Sequence, residues 1–153
     1  MTTFAILRES PLAPDLALLM QRHTEAMHAD TPPESIHMMD AGALAAPGIS
    51  FFVMRDGAEA VAMGAIKVEG DHAEIKSMHV LSERRGLGLA PRLLDHLIAE
   101  ARQAGVTRLS LETGSQASFA AARALYTRRG FFECGPFGSY RPDPNSTFMT
   151  LTL

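Results

Sequence analysis

The sequence lacks tryptophan and contains a single cysteine, Cys134, among its 153 residues. One thiol cannot form an intrachain disulfide, so a covalently cross-linked fold is excluded and a reducing compartment is expected. No stretch approaches the roughly 18 uninterrupted apolar residues that cross a bilayer, and the opening MTTFAILRES does not combine a basic segment with an apolar run. We therefore expect a cytoplasmic protein with no membrane partner.

An excess of positive charge is also absent. The chain has 14 lysines and arginines against 17 aspartates and glutamates, and its pI is near 6.0, which argues against a nucleic-acid partner. The six histidines do not have the spacing of metal ligands, so no metal is expected. With 46% apolar residues, no internal repeat and no linker, the chain is predicted to be one globular domain over residues 1–153.

Periodicity and turn residues predict the element order βααβββαβαββ. That order indicates an α/β fold in which a mixed, mostly antiparallel central sheet carries helices on both faces. The first strand is predicted at residues 4–8, and Asp15 is predicted to cap the first helix. The segment TPPE at residues 31–34 has the pattern of a capping box with proline in the first turn. It predicts a second helix with Ile36 and Leu44 on its apolar side.

The remaining elements follow from apolar runs separated by turns rich in glycine and aspartate. Strands are predicted at residues 50–55, 60–68, 73–80, 108–113, 131–134 and 148–153, and helices at residues 89–105 and 119–129. The first three of these strands form an antiparallel meander. The strands at 73–80 and 108–113 run parallel if the helix between them is a crossover.

The strand at residues 73–80 changes phase along its length. Apolar side chains stand at Ala73 and Ile75 and then at Met78 and Val80, so the two-residue period of a strand slips by one between them. A β-bulge inserts one such extra residue and bends the strand away from its neighbour. We therefore predict a bulged strand that splays from the next strand in the sheet.

The turn at residues 85–90, RGLGLA, joins this strand to a long amphipathic helix. The first amides of a helix have no internal partner and lie at the positive end of the helix dipole, so such a turn attracts an anion. Gly86 and Gly88 remove side chains that would keep a phosphate from those amides, and Arg84 and Arg85 add positive charge beside it. Pro91 is tolerated only in a first helical turn, which places the helix start at the end of the RGLGLA turn.

Other readings of the turn are a dinucleotide site and a tight turn without any ligand. The dinucleotide fingerprint G-x-G-x-x-G matches at Gly86 and Gly88, but Pro91 occupies its third glycine position. Glu112 ends the following strand, where an acid could bind a ribose, so a nicotinamide oxidoreductase stays open as an alternative. A P-loop is excluded because the sequence has no Gly-Lys-Ser or Gly-Lys-Thr.

Two blocks of sequence together resemble the GNAT superfamily of N-acetyltransferases. Residues 85–90 fit the family's Arg/Gln-x-x-Gly-x-Gly/Ala pattern after a bulged strand, and residues 122–131 fit its later A-x-x-L-Y-x-x-x-G-F helix. The element order agrees with the family over nearly the whole chain, and the segments EIKSM and LETG are similar to a bacterial branch of it. The resemblance implies an enzyme that transfers an acetyl group from acetyl-CoA to an amine.

The resemblance also implies how coenzyme A is held. The amides of the turn would bind the pyrophosphate, and the backbone freed by the bulge would bind the pantetheine arm. The implied cofactor-binding residues are Met78, His79, Val80, Arg85, Gly86, Leu87, Gly88, Leu89, Ala90 and Tyr126. The chain departs from the family at two positions. Phe119 stands where an asparagine often contacts pantetheine, with Gln116 or Ser118 as substitutes, and Pro91 removes one amide from the cradle.

Acetyl transfer to an amine needs a proton acceptor, because an amine with a pKa of about 10 is only about 0.1% neutral at pH 7. By resemblance, Glu74 is the candidate base, His79 is a second candidate, and Tyr126 is the candidate acid that protonates the leaving thiolate. The backbone amide near His79 would polarise the carbonyl. Each side chain also has a structural alternative. Glu74 would pair with Lys76 or a cross-strand lysine, His79 would be a half-buried strand residue, and Tyr126 would pack beside Leu125.

The acceptor is expected to be a small molecule bound between the first helix pair and the loop at residues 135–146. The polar residues there are His28, His37, Tyr140 and Arg141. Arg141 could pair with an acceptor carboxylate through two hydrogen bonds or stand on the surface. Cys134 has no activating motif, so direct attack is expected rather than a covalent acetyl-enzyme. A non-catalytic acyl-CoA-binding module on the same fold is the remaining alternative. Because dimers are common in the family, a homodimer is a further expectation.

Overall fold

The computed structural model describes residues 4–153, and its centre is an open seven-stranded sheet. The strands are β1 (Phe4–Arg8), β2 (Ile49–Asp56), β3 (Glu59–Glu69), β4 (His72–Val80), β5 (Arg108–Gly114), β6 (Phe132–Cys134) and β7 (Ser146–Thr152). They lie in the order β1-β2-β3-β4-β5-β7-β6. All neighbouring pairs are antiparallel except β4 and β5, which run parallel. The mixed, mostly antiparallel sheet predicted from the sequence is therefore confirmed.

Four α-helices complete the predicted order. They are α1 (Ala17–Asp30), α2 (Ala41–Leu44), α3 (Leu89–Gln103) and α4 (Ala120–Arg128). Helices α3 and α4 pack on one face of the sheet, and α1 and α2 pack on the other. Among residues 4–153, no helix combines the length and the hydrophobicity needed to cross a membrane.

The two faces bury separate hydrophobic clusters. The cluster under α3 and α4 contains 20 buried residues, whereas the cluster under α1 and α2 contains eight. In the larger cluster, Leu93, Leu97 and Ala101 recur at four-residue intervals and form one apolar stripe of α3. Gly64 on β3 lets this helix approach closely, because a Cβ at that position would lie 3.1 Å from Cδ1 of Leu97.

The predicted capping-box helix after residue 31 is wrong. Thr31 is extended and ends α1, and its buried hydroxyl has no hydrogen-bond partner in the part of the chain that the structure describes. A single 3₁₀ turn follows at Pro33–Ser35, and residues 36–40 then form neither a helix nor a strand. The Asp40 carboxylate accepts a 2.7 Å hydrogen bond from the Ala43 amide, so this aspartate caps the four-residue α2 instead.

The predicted cap at Asp15 is also wrong. Asp15 lies inside a 3₁₀ turn, Pro14–Leu16, and no side chain caps α1. Its carboxylate instead forms a 2.7 Å ion pair with Arg55 of β2, which also binds Glu9 at 2.7 Å. A long-range ion pair therefore takes the oxygen atoms that would have bonded the helix amides.

The predicted bulge lies in β4. Met63 pairs with His79 while Ala65 pairs with Lys76, so two residues of β4 stand opposite one residue of β3. The extra residue is Ser77, which adopts a φ of +55°, a left-handed conformation that is rare for residues other than glycine. Pairing between β4 and β5 covers only residues 72–74 and 108–110. Beyond that point the two strands separate, and a gap opens in the sheet.

Candidate active site

The RGLGLA turn presents backbone rather than side chains to the solvent. Gly86 and Gly88 have φ values of +81° and +75°, and Gly88 directly precedes the first residue of α3, Leu89. No side chain caps this helix start, so the first amides remain available to an anion. Pro91 is the third residue of the helix, a first-turn position that its missing amide tolerates.

Arg84 and Arg85, at the start of the turn, have different ionic partners. Arg84 forms ion pairs with Asp56 at 2.9 Å and with Glu59. The expectation that Arg84 adds charge at the anion site is therefore wrong, because two carboxylates of β2 and β3 neutralise it. Arg85 is exposed and has no ion pair within residues 4–153. Its guanidinium remains free to attract a phosphate.

The gap between β4 and β5 follows from the bulge. After Ser77, the backbone of His79 and Val80 still pairs with β3 on one side. On the other side, β5 has no registered pair with residues 75–80 in the described chain. An extended ligand arm fits such a gap, because it can take the backbone hydrogen bonds that the missing strand leaves open.

Two buried polar atoms near this gap have no hydrogen-bond partner in residues 4–153. They are the hydroxyl of Ser77 at the bulge and the amide oxygen of Gln116 at the end of β5. Buried polar groups without partners are uncommon in proteins and indicate a missing ligand or water. Gln116 is one of the two residues named above as substitutes for the family's asparagine. The amide and hydroxyl groups of a pantetheine arm would satisfy both atoms.

Tyr126 lies on α4 at the edge of the larger hydrophobic cluster. Its side chain is 7% exposed, and its ring contacts that of Phe131 at a centroid distance of 5.8 Å. Burial raises the pKa of Tyr126 to about 12, so the phenol is protonated at neutral pH. Within the described residues its hydroxyl makes no hydrogen bond. The group is thus able to donate a proton, and it also packs in the core.

Glu74 belongs to a cluster on the opposite face of the sheet, with Lys76 of the same strand and Tyr140 of the loop between β6 and β7. The Tyr140 hydroxyl donates to Oε2 of Glu74 at 2.5 Å, and Nζ of Lys76 lies 3.1 Å from the same oxygen. The side chains of Glu74 and Lys76 are only 15% and 13% exposed. This cluster brings a buried carboxylate to the closed end of the gap between β4 and β5.

His79 lies on the same face but beside α1 rather than in the Glu74 cluster. Its ring meets that of His23 edge to face at 5.3 Å. Burial lowers the pKa of His23 to about 4, and burial followed by the neighbouring His23 lowers the pKa of His79 to about 4 as well. The imidazole of His79 is therefore neutral at pH 7, and its surroundings disfavour the protonated form that a base must adopt.

The four predicted acceptor residues fall into two groups. His37 and Tyr140 meet ring to ring at 5.3 Å and border the Glu74 carboxylate. His28 and Arg141 are exposed, and in residues 4–153 no hydrogen bond or ion pair connects either of them to that cluster.

Sequence reasoning missed two polar residues of this face. It considered Lys76 only as a structural partner and Glu112 only as a ribose-binding acid. Glu112 is half-buried and accepts a 2.8 Å hydrogen bond from Ser146, and burial raises the pKa of its carboxyl. Glu74 and Ser110 are the last pair before β4 and β5 separate. Lys76 and Glu112 each lie two residues further along these strands, and this spacing, which puts them on the same face as Glu74 and Ser110, could have identified both.

Comparisons with known proteins show the family of the chain. Residues 16–131 match the Acetyltransferase (GNAT) family. The chain is 45% identical to the uncharacterized N-acetyltransferase YsnE of Bacillus subtilis over 136 residues, which cover 88% of this chain and 90% of the relative. It is 41% identical to the IAA acetyltransferase of Azospirillum brasilense over 156 residues, and the match covers the whole of both chains.

A solved structure shares the whole fold. The crystal structure of an inferred acyl-CoA N-acyltransferase from Klebsiella pneumoniae superimposes with a TM-score of 0.80 at 29% identity, and the match covers 99% of this chain and 98% of the other. Neither the nicotinamide oxidoreductase nor the non-catalytic binding module finds support in these comparisons. The chain belongs to the GNAT acetyltransferase family, and it is an N-acetyltransferase that moves an acyl group from coenzyme A to an amine.

Proposed function

We propose that this enzyme transfers the acetyl group of acetyl-CoA directly to the amine of a small-molecule acceptor, with Glu74 as the proton acceptor. The observation that carries the proposal is the buried Glu74 carboxylate at the closed end of the gap between β4 and β5. Its side chain is 15% exposed and bonded to Tyr140 at 2.5 Å. The RGLGLA turn and the bulge support acetyl-CoA as the donor.

The reaction divides among three groups. The acceptor ammonium gives a proton to the Glu74 carboxylate, and the nitrogen lone pair then attacks the thioester carbon. A backbone amide near His79, freed by the bulge, stabilises the oxyanion as the carbonyl π bond opens. When the carbonyl re-forms, the carbon–sulfur bond breaks, and coenzyme A leaves as a thiolate that takes the phenolic proton of Tyr126. The Tyr126 phenolate then takes the second proton from the acylated nitrogen, which gives the neutral amide and restores the phenol, and Glu74 releases its proton to the solvent.

Burial of the acceptor face supports a small acceptor. Glu74 and Lys76 lie beneath Tyr140, whose ring packs against those of His37, Phe137 and Phe148. The loop between β6 and β7 therefore covers the carboxylate. A compact amine can pass beneath such a loop more readily than a folded protein surface, which would have to displace it.

Acetyl-CoA titration by calorimetry, followed by an acceptor panel read by mass spectrometry, tests this function. The panel contains primary amines, amino acids with their carboxamides, and IAA, because one relative is an IAA acetyltransferase. We expect acetyl-CoA binding and an acetylated amine product. The absence of binding at high micromolar concentration would remove the donor assignment. A preference for amino acids over their carboxamides would assign a carboxylate-binding role to Arg141, and the converse would place Arg141 outside the site.

Two variants test the proposed proton carriers. Glu74→Gln keeps the shape of the side chain but removes its charge, and we expect kcat to fall about 100- to 1000-fold with unchanged acetyl-CoA affinity. Tyr126→Phe keeps the packing against Phe131, and we expect kcat to fall about tenfold or more while the Kd for acetyl-CoA stays the same. Parallel losses of turnover and affinity in Tyr126→Phe would instead identify Tyr126 as a packing residue.

A further inference from the structure

Two polar groups meet at one oxygen of Glu74, the Tyr140 hydroxyl and the Lys76 ammonium. The inference drawn from this arrangement rests on the proposed function, in which Glu74 is the proton acceptor. The Tyr140 hydroxyl donates to Oε2 of Glu74 at 2.5 Å. Nζ of Lys76 lies 3.1 Å from the same Oε2 and donates to the Tyr140 hydroxyl at 2.6 Å. The three side chains thus close a triangle in which Oε2 accepts a hydrogen bond from Tyr140 and forms an ion pair with Lys76. Within residues 4–153, the other oxygen, Oε1, accepts no hydrogen bond.

The direction of each hydrogen bond in the triangle is fixed. The Lys76 ammonium can only donate, so the Tyr140 oxygen must be the acceptor in the bond between them. The single hydroxyl proton of Tyr140 then points to Glu74. Burial, followed by the adjacent Glu74 carboxylate, raises the pKa of Tyr140 far above its usual value. The hydroxyl therefore remains a donor throughout the pH range of any assay.

The ring of Tyr140 is also held in place, by contacts with its aromatic neighbours. It contacts Phe137 at 5.1 Å, Phe148 at 5.4 Å and His37 at 5.3 Å. Lys76 lies 5.2 Å from the centre of the same ring and also donates to the carbonyl oxygen of His37 at 3.4 Å. Packing of this kind restricts side-chain rotamers, which is what a precisely oriented catalytic group requires of the residues around it.

The two positioning side chains come from different parts of the chain. Lys76 projects from β4 on the same side as Glu74, because both face away from the α3 cluster that contains Ala73 and Ile75. Tyr140 lies 66 residues after Glu74, on the loop that covers the acceptor face. The base and the loop are therefore joined by a hydrogen bond, and ordering of the loop orients the base.

We propose that Tyr140 and Lys76 are positioning residues that fix the Glu74 carboxylate through Oε2 and present Oε1 to the acceptor amine. Neither residue exchanges a proton with the acceptor. Their contribution is the orientation of the carboxylate, and a displacement of about 1 Å in such a group can reduce turnover about 100-fold. A purely structural triangle would contribute to stability and leave turnover per folded molecule unchanged.

Kinetics of Tyr140→Phe and Lys76→Met separate these roles. Tyr140→Phe removes one oxygen atom and keeps the aromatic packing. With acetyl-CoA and the amine selected by the acceptor panel, we expect either substitution to lower kcat about 30-fold and to leave the KM for acetyl-CoA unchanged. The kcat of the double variant should lie no more than about threefold below the kcat of the less active single variant, because both side chains act on the same oxygen.

A matched control removes an ion pair elsewhere. Asp95→Asn breaks the 2.7 Å pair with Arg129 on the surface between α3 and α4, and kcat should not change. A kcat for Tyr140→Phe within twofold of the wild type, in a protein with a cooperative urea transition, would overturn the proposal. Multiplicative losses in the double variant would overturn it as well.

An activity-independent measurement separates this inference from the proposed function. The chain has only two tyrosines, so ring-labelled protein gives two hydroxyl groups to assign by NMR. We expect one slowly exchanging, far-downfield hydroxyl proton that is lost in Tyr140→Phe and moves upfield in Glu74→Gln. An unchanged signal in Glu74→Gln would contradict the positioning role. If the signal behaves as expected but the panel yields no acetylated product, the acceptor chemistry fails while the hydrogen bond stands.

Discussion

The two faces of the central sheet differ in what they bury. The face under α3 and α4 holds a continuous apolar cluster of 20 residues, and the face under α1 and α2 holds eight. Beside the smaller cluster lie the ionic triangle of Glu74, Lys76 and Tyr140 and the buried pair of His23 and His79. One face therefore combines most of the core with the helix that begins at the RGLGLA turn. The other accepts buried polar groups where the acceptor is expected.

This difference has a physical reason. A cofactor site built from backbone amides needs a rigid helix start, and close packing of α3 against β3 supplies that rigidity. A proton acceptor needs a charged group in a place that excludes water, and burying such a group costs stability unless it has partners. The smaller cluster under α1 and α2 leaves room for those partners. The predictions below test whether the two faces separate stability from chemistry in this way.

Acidification should have the largest effect, and it acts on the face under α1 and α2. His23 is buried and His79 is half-buried, and folding lowers the pKa of both imidazoles from 6.5 to about 4. Below pH 6.5 the unfolded chain binds protons that the folded chain does not. The contribution of the two neutral histidines to stability is therefore complete above pH 6.5, and it is lost as the pH falls toward 4. Linkage predicts a loss of about 2 kcal/mol for each histidine at pH 5.

Urea unfolding at pH 7.5 and pH 5 measures this loss. In His79→Gln we expect the pH-dependent change in unfolding free energy to be about 2 kcal/mol smaller than in the wild type, whatever the substitution costs at neutral pH. Subtracting the two proteins removes the contributions of the carboxylates, which titrate in both. Equal pH dependence in the wild type and the variant would contradict the burial of a neutral His79.

Leu97→Ala should have the next largest effect, and it tests the α3 face. Leu97 is fully buried and lies against Gly64, so the surroundings cannot collapse into the space it leaves. We expect a loss of about 3 kcal/mol in unfolding free energy. The matched variant is Leu44→Ala. Leu44 is only 1% exposed, but it lies on the four-residue α2. Its short helix can shift inward, and we expect a loss of about 2 kcal/mol by urea denaturation. The reverse order would contradict the comparison of the two faces.

Gly88→Ala should have the smallest effect on stability and a specific effect on binding. Gly88 and Gly57 both have positive φ values, +75° and +57°, and a Cβ at either position would meet no atom within 4 Å. We expect either alanine to cost about 1 kcal/mol because of its left-handed backbone. Only Gly88 borders the proposed phosphate site, so only Gly88→Ala should weaken acetyl-CoA binding, by about tenfold. Calorimetric titration of both variants with acetyl-CoA tests this prediction. Equal affinities of Gly88→Ala and Gly57→Ala for acetyl-CoA would contradict a role of the turn in the cofactor site.

Local patterns predicted the elements whose cause is local. The phase slip between Ile75 and Met78 predicted the bulge, because each strand residue changes face in turn and one extra residue must reverse the pattern. Pro91 and the glycines of the RGLGLA turn located the start of α3, because proline and left-handed glycine each allow few backbone conformations. The capping-box helix failed because Asp40, nine residues later, provides a competing cap for a much shorter helix.

Contacts between distant residues could not be predicted in this way. The sequence indicates that Arg84 adds charge at the turn, but the sheet brings Asp56 and Glu59 to it. Likewise, nothing in the neighbourhood of Tyr140 indicates that its hydroxyl meets a carboxylate 66 residues earlier. Such partners depend on which strands become neighbours and on how a loop crosses the sheet, and no short pattern encodes either.

The sequence by itself determined the order of the elements, the bulge, the start of α3 after the RGLGLA turn and the resemblance to an acetyltransferase. Each of these follows from backbone geometry over a few residues, where periodicity and glycine or proline positions leave few alternatives. Only the tertiary structure decided which side chains surround Glu74. That arrangement depends on packing among β4, β5 and the loop between β6 and β7, because side chains far apart in the chain meet only after the sheet has assembled.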